Sequence, residues 1–493
     1  MRSRESCERL LRERFRVDGF RPGQWEAVQT LLRGRDLMAL FPTGAGKSVC
    51  YQLPALLLDG PTLVISPLIA LMRDQTEHLR ALGIPAVCLD SLQTPDAFRE
   101  SLGQVETGAA RLIYVSPERL QSERFRKALR AHPPALAAVD EAHCVIEWGK
   151  AFRPAYAQIG RFLRSLEKRP PVCAMTATAD RRTQRAIRRQ LGMRRTRAVT
   201  LPLVRENLIY RVQTTLNPDG EALALLRAHP GERGLIFCRT RARCEALASA
   251  LRGHRVAADF YHAGREREER DRVQASFAAG AVQVLACTSA FGMGVDIPGI
   301  RFVLHDRLPE SLTALAQQSG RAGRDGKPAE CVILLDPRDL QWIVLSRMKK
   351  EREARKTSPL HPLLRLRRLR ECREETRAAQ AVLDACLGGE CLPRAIVRAF
   401  GQDATRCEKC SACLRSNASL VWSPSLRDSR PADITRWALS WQRDVWAERL
   451  ETVPDSILSG NELEQAVRTG RIPDGCEPAA RRSLQVLAEH LAR

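Results

Sequence analysis

Residues 42–48, Pro-Thr-Gly-Ala-Gly-Lys-Ser, have the composition of a phosphate-binding loop. The glycines allow backbone N–H groups to approach phosphates, and the helix predicted to begin near Lys47 directs its positive end there. Lys47 would reach the β- and γ-phosphates, and the Ser48 hydroxyl would ligate Mg²⁺. The generic motif has glycine where Phe41 stands, so a chance glycine-rich turn is the alternative. The candidate contacts are Thr43, Gly44, Ala45, Gly46, Lys47 and Ser48.

A second motif, Asp-Glu-Ala-His at residues 140–143, directly follows an apolar run. Ligands of parallel sheets bind at the carboxyl ends of strands, so both motifs are expected in one crevice. Asp140 is suited to hold Mg²⁺, and Glu141 to orient and deprotonate an attacking water. A solvated acidic turn is the alternative, which the apolar strand disfavours. The two motifs together predict a nucleoside triphosphatase.

Residues 317–325, Gln-Gln-Ser-Gly-Arg-Ala-Gly-Arg-Asp, place Arg321 and Arg324 three positions apart, which predicts that they share one helical face. An arginine supplied by a second lobe stabilises charge on a transferred phosphoryl group, an effect of about 10³–10⁵ in rate. Gln317, Arg321 and Arg324 are therefore candidate catalytic residues beside Lys47 and Glu141. Surface salt bridges are the alternative in so basic a chain.

Two stretches of alternating strand and helix patterns must position these motifs. Their strands are apolar throughout, as expected when helices cover both faces of a sheet. Residues 202 and 217–220 have the composition of turns and predict a junction between two lobes of similar size. The predicted strands are 36–41, 62–66, 112–116, 136–140 and 172–176, then 234–238, 257–261, 282–287, 301–305 and 331–335.

After residue 336 the pattern becomes helical and very basic, followed by four closely spaced cysteines. The spacing C-x15-C-x2-C-x2-C suits tetrahedral Zn²⁺, with buried or redox thiols as the alternative. The basic run 348–373 is either a solvated helix face or a contact for duplex phosphates. The predicted ligands are Cys391, Cys407, Cys410 and Cys413.

The overall charge favours a polyanionic partner only weakly. Lys and Arg number 79 against 57 Asp and Glu, a formal net charge of +22, which attracts polyanions but also fits a generally arginine-rich composition. We find no apolar run of membrane-spanning length and no signal peptide, so we expect no membrane partner. The sixteen cysteines are therefore expected in a reducing, cytoplasmic compartment rather than in disulfides.

In order and spacing, the motifs resemble those of the RecQ family of superfamily 2 DNA helicases over about residues 5–415. The segments that carry the resemblance are 20–24 (Phe-Arg-Pro-Gly-Gln), 41–48, 66–75, 116–120, 140–143, 176–178, 236–238, 261–264, 290–296 and 317–325. The resemblance implies an α/β fold class of two tandem RecA-like parallel-sheet lobes, a small helical zinc-binding domain and a helical tail. The implied domains are 1–202, 203–340, 341–415 and 416–493, the last resembling an HRDC module.

The same resemblance implies function. Phe20, Arg21 and Gln24 would contact the base and phosphates of ATP, with Mg²⁺ and Zn²⁺ as further cofactors. Segments 66–75 and 116–120 would track a single strand, moving 3′ to 5′ and separating duplex DNA in repair or recombination. We expect a cytoplasmic, bacterial nucleoid-associated protein.

Residues 148–156, Trp-Gly-Lys-Ala-Phe-Arg-Pro-Ala-Tyr, match the family's aromatic loop that senses single-stranded DNA. Trp148 and Phe152 are suited to stack on bases and Arg153 to meet a phosphate, with core packing as the alternative. The family has His and Asp where Lys150 and Ala151 stand, which predicts modest stimulation by DNA.

The sequence departs from the family pattern in other regions too, including the region near the segment expected to bind adenine and the region after the cysteine cluster. Residues 16–17 replace a Gly-Tyr pair, which predicts weaker stacking on adenine, and residues 315–316 replace tyrosines. About eighty residues follow Cys413, so a winged helix is not expected. The rival functions are an RNA helicase, a DNA-binding module with a degenerate ATP site, and a DNA-stimulated translocase that unwinds weakly.

Overall fold

Short strands buried on both faces form two parallel sheets in the computed structural model. The structure describes residues 3–42, 44–90, 92–147, 155–215, 218–291, 297–356, 362–387 and 390–414. It divides into two compact units. Within the described ranges, unit 1 comprises residues 3–205 and 397–403, and unit 2 comprises residues 206–291, 297–396 and 404–414.

Unit 1 contains a seven-stranded sheet of order β3-β4-β2-β5-β6-β1-β7, in which each pair of neighbours is parallel. The predicted strands form, and β3 and β7 were not predicted. The strands are β1 (Leu37–Leu40), β2 (Thr62–Ile65), β3 (Ala86–Leu89), β4 (Leu112–Val115), β5 (Leu136–Val139), β6 (Val172–Thr176) and β7 (Arg197–Thr200).

Helices cover both faces of this sheet, and each face buries its own apolar core. The helices are α1 (Arg4–Leu10), α2 (Gln24–Leu32), α3 (Val49–Leu57), α4 (Ile69–Ala81), α5 (Pro95–Glu106), α6 (Glu123–Ala131), α7 (Cys144–Glu147), α8 (Ala155–Ser165) and α9 (Arg181–Leu191). A π-helical turn (Leu11–Phe15) and a 3₁₀ turn (Pro117–Gln121) complete the set.

Unit 2 contains a six-stranded parallel sheet of order β10-β11-β9-β12-β13-β8. The strands are β8 (Leu208–Thr214), β9 (Arg233–Phe237), β10 (Ala258–Tyr261), β11 (Val284–Cys287), β12 (Ile300–His305) and β13 (Ala329–Leu335). The helices are α10 (Pro218–Ala228), α11 (Arg241–Gly253), α12 (Arg267–Ala278) and α13 (Leu312–Ser319). Strand β8 was not predicted, and Pro218 begins α10 rather than a turn, because proline fits the first position of a helix.

The two sheets share one strand order. Reading β1-β6-β5-β2-β4-β3 in unit 1 gives the same succession as β8-β13-β12-β9-β11-β10 in unit 2. The predicted fold class, two RecA-like lobes, is therefore confirmed, although the sequence showed no internal repeat.

The region after β13 is helical within the described residues, as predicted. It contains α14 (Pro337–Lys356), α15 (Pro362–Leu387) and α16 (Leu392–Ala399). The predicted linker and helical tail at 416–493 lie outside the described residues. Among the helices that are described, none combines the length and apolar character that a membrane span requires.

Candidate nucleotide site and cysteine cluster

The loop between β1 and α3 adopts the backbone conformation that its glycines allow. Gly44 and Gly46 have φ angles of +83° and +74°, the left-handed region that glycine tolerates best. Ser48 is the N-cap of α3, so the helix begins at the loop and directs its N–H groups toward it. Thr43 lies outside the described residues.

Arg21 and Gln24 lie against this loop. The Gln24 Nε2 donates to the carbonyl oxygens of Gly46 at 2.9 Å and Ala45 at 3.3 Å, and its Oε1 accepts the Arg21 N–H at 2.8 Å. Arg21 Nη1 donates to the Gly44 carbonyl at 2.8 Å. A Cβ on Gly46 would lie 2.5 Å from Gln24 Nε2, so glycine is needed for this close approach.

Phe20 lies beside these residues and packs against an aromatic ring that the sequence reasoning missed. Its ring centroid lies 5.4 Å from that of Trp25, at an interplanar angle of 45°. Trp25 follows Gln24 on α2, and its adjacency to the 20–24 segment was the available signal.

The acidic pair lies at the carboxyl end of β5 and faces the loop lysine. Lys47 Nζ lies 3.5 Å from Glu141 Oε1, so the structure brings these two candidate residues together. The Asp140 Oδ1 accepts the Glu141 N–H at 3.0 Å. Glu141 has φ of +42°, an uncommon conformation for a residue with a side chain and one that clusters at functional sites.

Two carboxylates and one lysine leave this site with an excess of negative charge. Burial, and after it the Glu141 carboxylate, raise the pKa of Asp140 to about 6 against the opposing effect of Lys47. A bound cation would reverse this rise because it favours the ionised form. The carboxylate of Asp140 and the hydroxyl of Ser48 are oxygen donors of the kind that Mg²⁺ prefers.

His143 joins the acidic motif to the end of β6. Its Nδ1 lies 2.8 Å from the Thr176 hydroxyl and 3.4 Å from Glu141 Oε2. The Thr176 hydroxyl also lies 3.1 Å from the Thr178 carbonyl oxygen and accepts the Thr178 N–H at 3.2 Å. The sequence matched the 140–143 and 176–178 motifs separately, and nothing in their spacing predicted this bond.

In unit 2 the prediction that Arg321 and Arg324 share a helical face is wrong. Helix α13 contains Gln317 but ends at Ser319, so both arginines lie in the turns that follow. Gly323 has φ of +58°, and its N–H donates to the Ile300 carbonyl at 2.8 Å. Arg321 is buried and Arg324 half-buried. Their roles toward a nucleotide stay predictions.

Trp148, Phe152 and Arg153, the predicted DNA contacts, lie outside the described residues, together with Lys150 and Ala151. The described chain ends with α7 before this loop and resumes at α8.

The four predicted zinc ligands converge. The Sγ atoms of Cys391, Cys407, Cys410 and Cys413 all lie within 4.8 Å of one another. Zn–S bonds of about 2.3 Å in a tetrahedron separate sulfurs by about 3.8 Å, so this donor set fits Zn²⁺. The neighbouring thiols fall elsewhere, since Cys372 Sγ contacts the Arg347 carbonyl at 3.7 Å and Cys386 is not in the cluster.

The cysteine cluster is anchored to the sheet of unit 2. The Ser411 N–H donates to the Tyr210 carbonyl at 3.1 Å, and the Val212 N–H donates to the Ser411 Oγ at 3.2 Å. Both partners belong to β8. The cluster therefore continues the second lobe at its edge strand.

Comparison with known proteins gives two family matches. Residues 21–187 match the DEAD/DEAH box helicase model, and residues 220–326 match the helicase conserved C-terminal domain model. Among solved structures, Saccharomyces cerevisiae Dbp5 bound to RNA and ADP BeF3 is similar with a TM-score of 0.55 and 18% identity, over 66% of this chain and 87% of that one. That likeness shows the fold.

Curated relatives are more similar in sequence. The chain is 36% identical to ATP-dependent DNA helicase RecQ of Haemophilus influenzae, over 82% of this chain and 63% of the relative. It is 36% identical to ATP-dependent DNA helicase RecQ of Bacillus subtilis, over 84% of this chain and 68% of the relative. It thus spans about two thirds of their length. The motifs and these matches agree, and the chain belongs to the RecQ family of superfamily 2 helicases.

Proposed function

We propose that this chain is an ATP-dependent DNA helicase that moves 3′ to 5′ on single-stranded DNA and separates duplex DNA. The observation that carries the proposal is the contact of Lys47 with Glu141 beside Asp140, at the carboxyl edge of the first sheet. This arrangement supports phosphate binding, metal binding and water activation in one place. Two relatives of this chain are named ATP-dependent DNA helicases.

In this proposal the loop residues 43–48 hold the phosphates of ATP, and Lys47 neutralises the charge that develops on them. Ser48 and Asp140 would hold Mg²⁺. Glu141 accepts a proton from the attacking water, and Gln317, Arg321 and Arg324 stabilise the transferred phosphoryl group.

Phe20, Arg21 and Gln24 would serve the base and the phosphates. Both polar ends of the Gln24 amide already have partners. We propose that Gln24 exchanges its longer bond, at 3.3 Å to Ala45, for a bond to the base. Loop position would then depend on whether a nucleotide is bound.

DNA would act on this site through residues 148–153. We propose that Trp148 and Phe152 stack on bases and that Arg153 meets a phosphate. Trp148→Ala should then leave basal hydrolysis intact and remove most of the stimulation by single-stranded DNA. Unchanged stimulation would assign this loop to packing.

The cysteine cluster would hold one Zn²⁺. The ion would stabilise residues 391–413, since structural zinc contributes about 10–16 kcal/mol of folding free energy in small modules. Cys410→Ala should abolish zinc and lower stability, while Cys386→Ala, a thiol outside the cluster, should keep the metal. Elemental analysis of both variants measures the stoichiometry, and a folded, zinc-free parent would contradict the assignment.

We further propose the domain division 1–202, 203–340, 341–415 and 416–493. The basic run 348–373, which includes the end of α14 and the start of α15, would contact duplex phosphates. A cytoplasmic, nucleoid-associated role in DNA repair or recombination follows from the family and completes the proposal.

Strand displacement tests the whole proposal. We expect ATP-dependent separation of 3′-tailed and forked duplexes and little separation of 5′-tailed ones. Preference for the 5′ tail would reverse the polarity. Hydrolysis stimulated by DNA without strand separation would favour the weakly unwinding translocase, and stronger stimulation by matched RNA would favour an RNA helicase.

A further inference from the structure

Two adjacent helices of unit 1, remote in sequence from the phosphate loop, carry an unusual concentration of arginine. Helices α8 and α9 contain seven arginines and no acidic residue. Residues 155–197 hold twelve Lys or Arg and two Asp or Glu. This net charge of +10, in less than a tenth of the chain, is nearly half of the total of +22. The seven are Arg161, Arg164, Arg181, Arg182, Arg185, Arg188 and Arg189.

The arginines of α9 form one stripe. At about 100° per residue, the five positions fall within roughly 120° of the helix circumference. Ile187 and Leu191, on the opposite side, are buried in the core. Positions 181 and 189 are exposed and lie about 12 Å apart along the helix axis. The stripe is therefore largely solvent-facing, although Arg188 is half-buried and Arg181 Nη2 donates to the Gly401 carbonyl at 3.4 Å.

Helix α8 lies directly against α9. A Cβ on Gly160 would lie 1.8 Å from the Gln190 carbonyl oxygen, so this glycine allows the two backbones to approach closely. Gln190 Nε2 also donates to the Ala157 carbonyl at 2.7 Å. The exposed Arg164 lies beside Gly192 at the end of α9. The exposed Arg164 and the arginines of α9 thus border one two-helix surface, called here the arginine surface.

General arginine richness does not account for this surface. On α12 the arginines alternate with acids and pair with them, as in Arg267–Asp271 at 3.8 Å and Arg272–Glu269 at 4.0 Å. On α15 Arg367 pairs with Glu371 at 2.9 Å. Helices α8 and α9 have no acid that could act in this way.

The positions of the arginines on α9 are also not those that would best stabilise the helix. Cations favour the C-terminal turn of a helix and are unfavourable in the first turn. Arg181 and Arg182 nevertheless occupy the first turn of α9, whose N-cap Asp180 accepts the Thr183 N–H at 2.6 Å. Helix stability alone would place acids there.

We propose that the arginine surface binds the phosphate backbone of double-stranded DNA, as a contact separate from the nucleotide site. Guanidinium groups match phosphate oxygens in geometry and charge. Binding of single strands relies on aromatic stacking as well as charge. Both aromatic residues of α8, Tyr156 and Phe162, are buried, and α9 has none. This surface offers contacts to phosphates and no platform for bases.

The choice of DNA as the partner rests on the proposed function. The location of the surface rests on the contacts and exposure of helices α8 and α9. The double variant Arg185→Gln/Arg189→Gln removes two exposed cations from the stripe. The matched control Arg267→Gln/Arg272→Gln removes the same charge from α12. Affinity of the full chain for a short blunt-ended duplex is measured without nucleotide across a salt series.

We expect the α9 variant to bind the duplex about tenfold more weakly, with a salt slope shallower by about 2, since each phosphate contact contributes about 0.9. The control should stay close to the parent, and basal ATP hydrolysis without DNA should be unchanged in both. Equal losses of duplex affinity in the two variants would mean that only the net charge of the chain matters, and would overturn the proposal. An equal loss for a single strand of the same length would also contradict it. The duplex-binding measurement contains no nucleotide, so it does not depend on ATP hydrolysis. Failure of ATP-dependent strand displacement would therefore refute the proposed function without deciding whether the arginine surface binds duplex DNA.

Discussion

The two sheets have the same strand order, but the carboxylates at their carboxyl ends have different partners. In unit 1 the edge holds a glycine loop, Lys47, and the carboxylates of Asp140 and Glu141. In unit 2 the corresponding edge holds buried carboxylates, each paired with an arginine. These pairs are Arg243–Asp306 at 2.6 Å, Arg307–Asp336 at 2.6 Å and Arg239–Asp339 at 3.2 Å.

Asp306 shows the contrast most clearly because β12 is the counterpart of β5. Asp140 follows β5 and has a raised pKa that a cation would lower again. Asp306 follows β12, is fully buried, and meets two guanidinium nitrogens of Arg243 at 2.6 and 3.0 Å. Asp140 is therefore open to stabilisation by an added cation, whereas Asp306 already has its guanidinium partner within the chain. The fold supplies the edge, and the side chains placed on it decide its function.

The largest expected effect on stability concerns the neutralised edge. Asp306→Ala removes the buried partner of Arg243, whose remaining partner, Asp219, is half-exposed, and removing one member of a buried pair costs about 3–5 kcal/mol. Urea unfolding, with hydrogen exchange to locate the change, should show this loss in peptides of unit 2. A loss below about 1 kcal/mol would mean that the network is not the stabilising feature of that edge.

A smaller effect follows from pH, again in unit 2. Burial lowers the pKa of His305, at the end of β12, to about 3. Between pH 6.5 and 3 the unfolded state binds a proton that the folded state excludes, so the His305 contribution to stability falls as pH falls through this window. This contribution has a slope of about 1.4 kcal/mol per pH unit. His305→Gln should lower the slope of stability against pH by up to that amount between pH 6.5 and 5, whereas the exposed His254→Gln should not. Equal slopes in both variants would contradict the assignment to His305.

The smallest effect is expected at the edge of unit 1. Without nucleotide or Mg²⁺, Asp140→Asn should leave the free energy of unfolding within about 1 kcal/mol of the parent, because it removes a carboxylate that burial disfavours. From pH 3.8 to about 6 the folded state retains the Asp140 proton longer, so the Asp140 contribution to stability falls as pH rises, opposite in sign to that of His305. The variant lacks this contribution, and its stability should therefore rise more steeply with pH than that of the parent over this window. A destabilisation as large as that of Asp306→Ala would remove the contrast between the edges.

The sequence predicted most of this architecture because its central strands are apolar on both faces. Two of the three strands it missed lack that pattern. Strand β7 buries one residue, Val199, at the sheet edge, and β8 alternates apolar and polar residues. Strand β3 is a run of four buried residues between Pro85 and Asp90, as long as the predicted β1, and its length does not explain why it was missed.

The site was predictable where its residues are adjacent in sequence and not where it depends on distant contacts. The loop glycines and the acidic pair followed from their types and spacing. The bond from His143 to Thr176 joins residues 33 positions apart. Gly323, four residues after the end of α13, lies so close to Asn207 that a Cβ would be 2.4 Å from its Nδ2. Contacts between residues so far apart in sequence can be identified only in the folded structure.

The most direct test is phosphate release by the full chain with Mg²⁺, ATP and single-stranded DNA. Glu141→Gln keeps the shape of the side chain and removes the carboxylate that would accept the proton of water. We expect turnover to fall by about 10²–10⁴-fold, with nucleotide affinity within a few-fold of the parent. The control Glu123→Gln, an exposed acid on α6 paired only with Arg130 at the surface, should hydrolyse ATP normally. Near-parental turnover in Glu141→Gln would contradict the assignment of the first edge as the hydrolytic centre.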